Sequence, residues 1–165
     1  RVGYLLTDWG DNGHWQPYAV SLAPFLFGAS CAWNHAAADA APLAELANVH
    51  LFADATGTLG EVALELGRVD LLTGVYIPNN ATLFTILQSD LATFRERVGD
   101  GDKAEALWQA LDSARARTLA LRERLADASP QSPDGAEVVA EFTWATEMLR
   151  HAAERGLLWL GDEER

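Results

Sequence analysis

The stretch Asp8-Trp9-Gly10-Asp11-Asn12-Gly13-His14-Trp15 holds the densest set of groups in the chain that could bind or react. Carboxylates and an amide can exchange hydrogen bonds with hydroxyls, and a tryptophan face can lie against the apolar face of a pyranose ring, so these residue types suit a carbohydrate. Asp8 and Asp11 also have the chemistry of an acid and nucleophile pair, although nothing in their spacing selects it. Asp8, Asp11 and His14 are possible metal ligands. Zinc favours a richer His/Cys set, however, and magnesium takes few protein ligands, so no metal is expected. The plainest alternative makes Asp8 and Asp11 caps of the loop and the next helix, and both tryptophans core. Position favours binding, because the cluster follows a run that reads as a strand, and α/β barrels build their sites just past the C-terminal ends of strands.

That run, Val2-Gly3-Tyr4-Leu5-Leu6, is apolar throughout instead of alternating, the pattern of a strand covered on both faces of a parallel sheet. A helix is expected from about Ser21 to Trp33, with Ser21 as N-cap and Pro24 tolerable only in the first turn. Gly28 and the alanines of this segment predict close packing. Strand, loop and helix together form one βα unit. The remainder reads as helix. Two short helices span 43–52 and 58–72, separated by Ala55-Thr56-Gly57, and Thr73-Gly74 closes the second. Asn80 is placed to cap a helix whose stripe is Phe84, Leu87, Leu91, Phe94 and Val98, and Gly99-Asp100-Gly101-Asp102 stops it. Two further stripes follow, one of Leu107, Leu111, Ala114, Thr118, Leu121 and Leu125, the other of Val138, Phe142, Ala145, Leu149 and Ala152. Three long amphipathic helices joined by polar breaks predict an antiparallel bundle. The expected fold class is therefore mainly α. A helical bundle domain (40–165) is preceded by one strand and helix (1–37) belonging to the end of a parent (β/α)8 barrel, with the Ala-rich stretch 36–41 between them. The strand has no partner in the chain, and unpaired backbone groups are costly when buried, so a longer parent protein is expected to supply the sheet.

Composition limits the partners. The 165 residues are 49% hydrophobic and 22% charged, which is ordinary globular usage, and the 24 Asp and Glu outweigh 12 Lys and Arg for a net charge of −12. Such a chain repels phosphate backbones and anionic bilayers, which argues against nucleic-acid and membrane partners. Cys31 alone makes no internal disulfide, and no apolar run reaches the length of a membrane span. The compartment stays open, with a lean to the cytoplasm over secretion. His35, His50 and His151 lie near helix ends, where solvated or capping roles are expected, and Trp108, Trp144 and Trp159 fall on or beside helical stripes as core or interface. Gly10 and Gly13 lack the pattern of a dinucleotide loop, and no cofactor is expected.

The segment from Gly3 to Gln16, followed by Ser21 and by Phe27-Gly28-Ala29-Ser30-Cys31-Ala32-Trp33-Asn34, resembles the last strand and helix of the catalytic barrel in glycoside hydrolase family 20, the β-N-acetylhexosaminidases. It is closest to the branch with an all-helical domain after the barrel. The first 35 or so residues carry the specific match; the later helices match in architecture and at scattered positions such as Ile77-Pro78-Asn79-Asn80. The resemblance implies that Trp9 walls the sugar pocket and that Asp11, where the family more usually has Glu, accepts hydrogen bonds from hydroxyls of the terminal sugar. Asn12 and His14 join them as substrate-binding candidates from the cluster itself. The family's catalytic Asp-Glu pair lies on an earlier strand, so no catalytic residue is assigned to this chain. The implied reaction releases terminal non-reducing N-acetylglucosamine or N-acetylgalactosamine from a glycan, the substrate's acetamido oxygen being the nucleophile. Implied partners are the glycan, the rest of the barrel and a possible homodimer. The rival readings are a helical dimerisation or docking module, and a different barrel glycosidase acting on sugars without the N-acetyl group.

Overall fold

A computed structural model describes residues 3–10, 12–38, 42–98 and 101–161. Val2, Asp11 and the Gly99-Asp100 break, all named above, lie outside the described residues. The chain is mainly helical: α1 (Ala19–Trp33), α2 (His35–Ala38), α3 (Leu43–Ala47), α4 (Thr58–Leu66), α5 (Thr82–Gln88), α6 (Leu91–Val98), α7 (Asp102–Leu125) and α8 (Gly135–Gly161). A π turn, Asn48–Phe52, extends α3, and a 3₁₀ turn, Val69–Thr73, follows α4. The chain divides into two compact units, residues 1–65 with 123–145 and residues 66–122 with 146–165, with bounds that fall within α4, α7 and α8.

The expected opening strand is not formed. Residues 3–10 have no regular secondary structure, and the described residues contain no strand, only an isolated antiparallel bridge between Asp54 and Pro130. A strand exists by virtue of its ladder, and among the described residues no segment pairs with this one. The run instead lies on α1 by one edge. A Cβ at the buried Gly28 would stand 2.7 Å from Leu6 Cδ2 and 3.0 Å from Tyr4 Oη, so the tips of these two side chains lie close over the helix backbone there. Much of the run still faces solvent, with Tyr4 60% and Leu5 84% exposed.

Helix α1 also starts earlier than its sequence suggests. Tyr18 is the N-cap and offers no side-chain bond, while Ser21 sits within the first turn, so the expected Ser21 cap is corrected. The capping acceptor comes from far along the chain: Ala19 N–H donates to Glu141 Oε2 at 2.7 Å, placing a carboxylate at the positive end of the helix. Pro24 lies inside the helix beyond the first turn, with its ring exposed to solvent. In the same unit Phe52 and Phe142 meet edge to face with centroids 5.7 Å apart, both buried. Asn48 spans the loop before α4, its Nδ2 donating to Gly57 O at 2.8 Å and its Oδ1 accepting from Gly60 N–H at 2.7 Å.

In the second unit the helix expected to run from Phe84 to Val98 is two. Ser89 is extended, and Asp90 starts α6 by accepting the Thr93 N–H at 2.8 Å. The side chain of the expected cap Asn80 accepts the N–H of its neighbour Ala81, whereas the α5 terminus is held by Asp70, whose carboxylate accepts from the Thr82 and Leu83 N–H groups at 3.2 and 2.8 Å. The α7 stripe is buried at every expected position from Leu107 to Leu125. On α8, Val138, Phe142 and Ala152 are buried as expected, while Ala145 and Leu149 are half-buried and Thr146 and Ala153 take the inner positions.

Candidate functional site

The loop between the apolar run and α1 is built on local geometry. Gly13 N–H donates to Gly10 O at 3.0 Å, closing a tight turn, and Gly13 has φ +94°, a backbone that side-chain-bearing residues rarely adopt. Just before the turn, Asp8 is the loop's anchor. Its Oδ2 accepts the hydroxyl proton of Ser21 in the first turn of α1 and lies 3.4 Å from His14 Nε2. The same imidazole nitrogen is 3.2 Å from Gln16 Nε2. One carboxylate oxygen thus ties the opening segment to the loop and to the first turn of α1 through side chains.

Trp9 projects from this anchored position. Its Nε1 donates to Thr7 Oγ1 at 2.7 Å, which fixes the indole edge, while 76% of the residue is exposed. The expectation that the two tryptophans could be core is therefore not met: Trp9 and Trp15 both face solvent. Asn12 and His14 are exposed on the same loop. Asp11, the expected hydroxyl acceptor, lies outside the described residues. Trp9, Asn12 and His14 thus stand on one exposed loop, with His14 next to Asp8.

Among the described residues no group of three His, Cys, Asp or Glu side chains is arranged to hold a metal ion. No described helix is long and apolar enough to cross a membrane. Cys31 is a half-buried thiol on α1, and His35, His50 and His151 are exposed. Sequence reasoning missed Ser21 as the partner of Asp8 and Glu141 as the residue that orients α1. The first had a signal, a hydroxyl in the opening turn of the helix that follows the loop. The second had none, since 122 residues separate Glu141 from the amide that it caps.

No protein-family model matches the chain, and neither do the curated proteins or the solved structures with which it was compared.

Proposed function

We propose that this chain is the C-terminal part of a β-N-acetylhexosaminidase of the family 20 type, hydrolysing terminal non-reducing N-acetylglucosamine or N-acetylgalactosamine by substrate-assisted catalysis. Its role there is to wall and line the sugar pocket and to scaffold the barrel; the acid that protonates the leaving oxygen belongs to another part of the enzyme. One observation carries the reading: an apolar run packed on α1 at Gly28, still exposing Tyr4 and Leu5, leads directly into an anchored and exposed Trp9. Neighbouring strands would cover that apolar surface and bring the indole face to the mouth of a barrel. Asp11, Asn12 and His14 then supply the polar contacts to the hydroxyls of the bound sugar.

The test uses the full-length parent protein and a chromogenic N-acetylglucosaminide. Trp9→Ala is expected to raise KM about tenfold, the loss of one well-placed stacking face, with oligomer size unchanged. The 165-residue chain alone is expected to give no turnover. Turnover by that chain alone, or a parent enzyme indifferent to Trp9→Ala, overturns the proposal. A preference for the corresponding glucoside over the N-acetylated substrate would assign the chain to another barrel glycosidase.

The docking-module reading has its own observation. Trp144 is 59% exposed on α8 and Leu158 63%, large apolar surfaces of the kind that oligomers cover. If that reading holds instead, Trp9→Ala leaves sugar affinity intact and Trp144→Ser changes the assembly.

A further inference from the structure

The second unit contains a cleft of about 490 Å³ between the loop after the 3₁₀ turn, α5, α6 and the start of α7. Its walls are apolar: Val75, Ile77, Ile86, Phe94 and Leu107. Two cations, Arg97 and Lys103, line it as well, and both side chains are exposed. No carboxylate is found among the described residues that line it, in a chain where acids outnumber bases two to one, 24 against 12. The charged groups among the described lining residues are thus opposite in sign to the net charge of the chain. Thr85 adds a second and independent feature. This residue is 5% exposed, lines the cleft, and has a buried Oγ1 without a hydrogen-bond partner. A buried hydroxyl left unbonded is costly.

We infer that this cleft binds a small amphipathic carboxylate, an anion whose hydrocarbon body lies against Ile86, Phe94 and Leu107 and whose head group meets Arg97 and Lys103. The volume falls in the range of small-molecule sites, whose pattern is an apolar lining with a few convergent polar groups. The apolar wall accounts for affinity, since each buried methylene is worth close to the same increment. The cation pair accounts for selection of an anion over a neutral or cationic molecule of equal length. Because Arg97 and Lys103 are exposed, their attraction is screened by salt, whereas the apolar part is not. This site involves none of the residues of the sugar-binding proposal and stands or falls without it.

Calorimetric titration of the full chain with decanoate, decanol and decyltrimethylammonium tests the inference. Decanoate is expected to bind saturably, about tenfold tighter than decanol, with no detectable binding of the cation. Raising the salt concentration should narrow the gap between decanoate and decanol. Arg97→Gln together with Lys103→Gln should bring decanoate to the affinity of decanol. Ala106→Trp, at an exposed lining position where a larger side chain plugs the cleft without entering the core, should abolish binding of both. Equal affinity for decanoate and decanol, unchanged binding in Ala106→Trp, or no saturable binding of decanoate overturns the assignment. Both exposed-residue variants are checked for wild-type helical content, so that a loss of binding is read at the cleft and not as unfolding.

Discussion

Asp54 is only 3% exposed, yet its carboxylate accepts from Leu59 N–H at 2.9 Å, Thr56 Oγ1 at 2.7 Å, and the Thr56 and Ser129 N–H groups, each at 3.1 Å. Desolvation alone would raise its pKa; the hydrogen bonds outweigh that and hold it below the ordinary value of 3.8. A depressed carboxylate contributes stability that is present above the unfolded value and is lost as pH falls through the folded one. Asp54→Asn should therefore cost about 2 kcal/mol at pH 7, the scale of hydrogen bonds to a charged group. Its gap from wild type should shrink below pH 3.8 in chemical denaturation. A gap of equal size at pH 7 and in acid would show that geometry alone matters there. The neighbouring Gly60 makes a steric prediction. A Cβ there would strike the Ala44 carbonyl and come within 2.9 Å of Asn48 Cγ, so Gly60→Ala should lower stability by about 1–3 kcal/mol, read as a fall in the urea midpoint. Neither residue stood out in the sequence. Asp54-Ala55-Thr56-Gly57-Thr58 is a legible helix-start signal, but reading it only as a break between helices hid the carboxylate that caps the next one.

Among the elements, α7 was fully legible and the α5–α6 region was not. The α7 stripe repeats steps of four and three over five turns, and every position is buried, because a long helix packed on one side allows one solution only. The segment from Phe84 to Val98 has the same periodicity but contains Ser89-Asp90, and the local bond from Asp90 to the Thr93 amide wins over continuation of the helix. The inner positions consequently become Leu83, Ile86 and Phe94, with Phe84 only half-buried. Breaking the helix frees carbonyls, and Arg155 of α8 takes two of them, donating to Leu87 O at 3.2 Å and Ser89 O at 2.8 Å. Its guanidinium also lies 4.3 Å from the centroid of the Trp159 ring. Arg155→Ala should destabilise the second unit by about 1–3 kcal/mol by leaving those acceptors unpaired. Arg155→Lys should recover only part of this, since an ammonium lacks the planar fork that reaches two carbonyls at once. Equal stability of the alanine variant and wild type by thermal unfolding would mean that water bonds the two carbonyls equally well.

For the molecule as a whole, composition set the physical behaviour more firmly than it set the fold. The apolar opening run reads as a strand, yet residues 3–10 form none, because pairing depends on a neighbour that no residue within the run encodes. Charge is more directly legible. With 24 acidic and 12 basic side chains the chain repels itself, and the bridges that offset this, Arg124 with Glu61 and Glu65, Arg122 with Glu147, and Arg150 with Glu147 and Glu154, are partly exposed. Pairs of that kind are worth roughly 0.2–1 kcal/mol each. Added salt weakens both effects, and the sign of the outcome decides which is larger. The pairs are short-range and few, whereas the repulsion sums over every acid within a screening length, about 10 Å at 0.1 M and about 30 Å at 0.01 M. Raising sodium chloride from 10 mM to 300 mM at pH 7 should therefore raise the Tm, with most of the gain below 100 mM where the screening length is changing fastest. A Tm that falls over the same range would assign the larger share to the arginine bridges, and Arg124→Gln would then remove most of the salt dependence of the first unit.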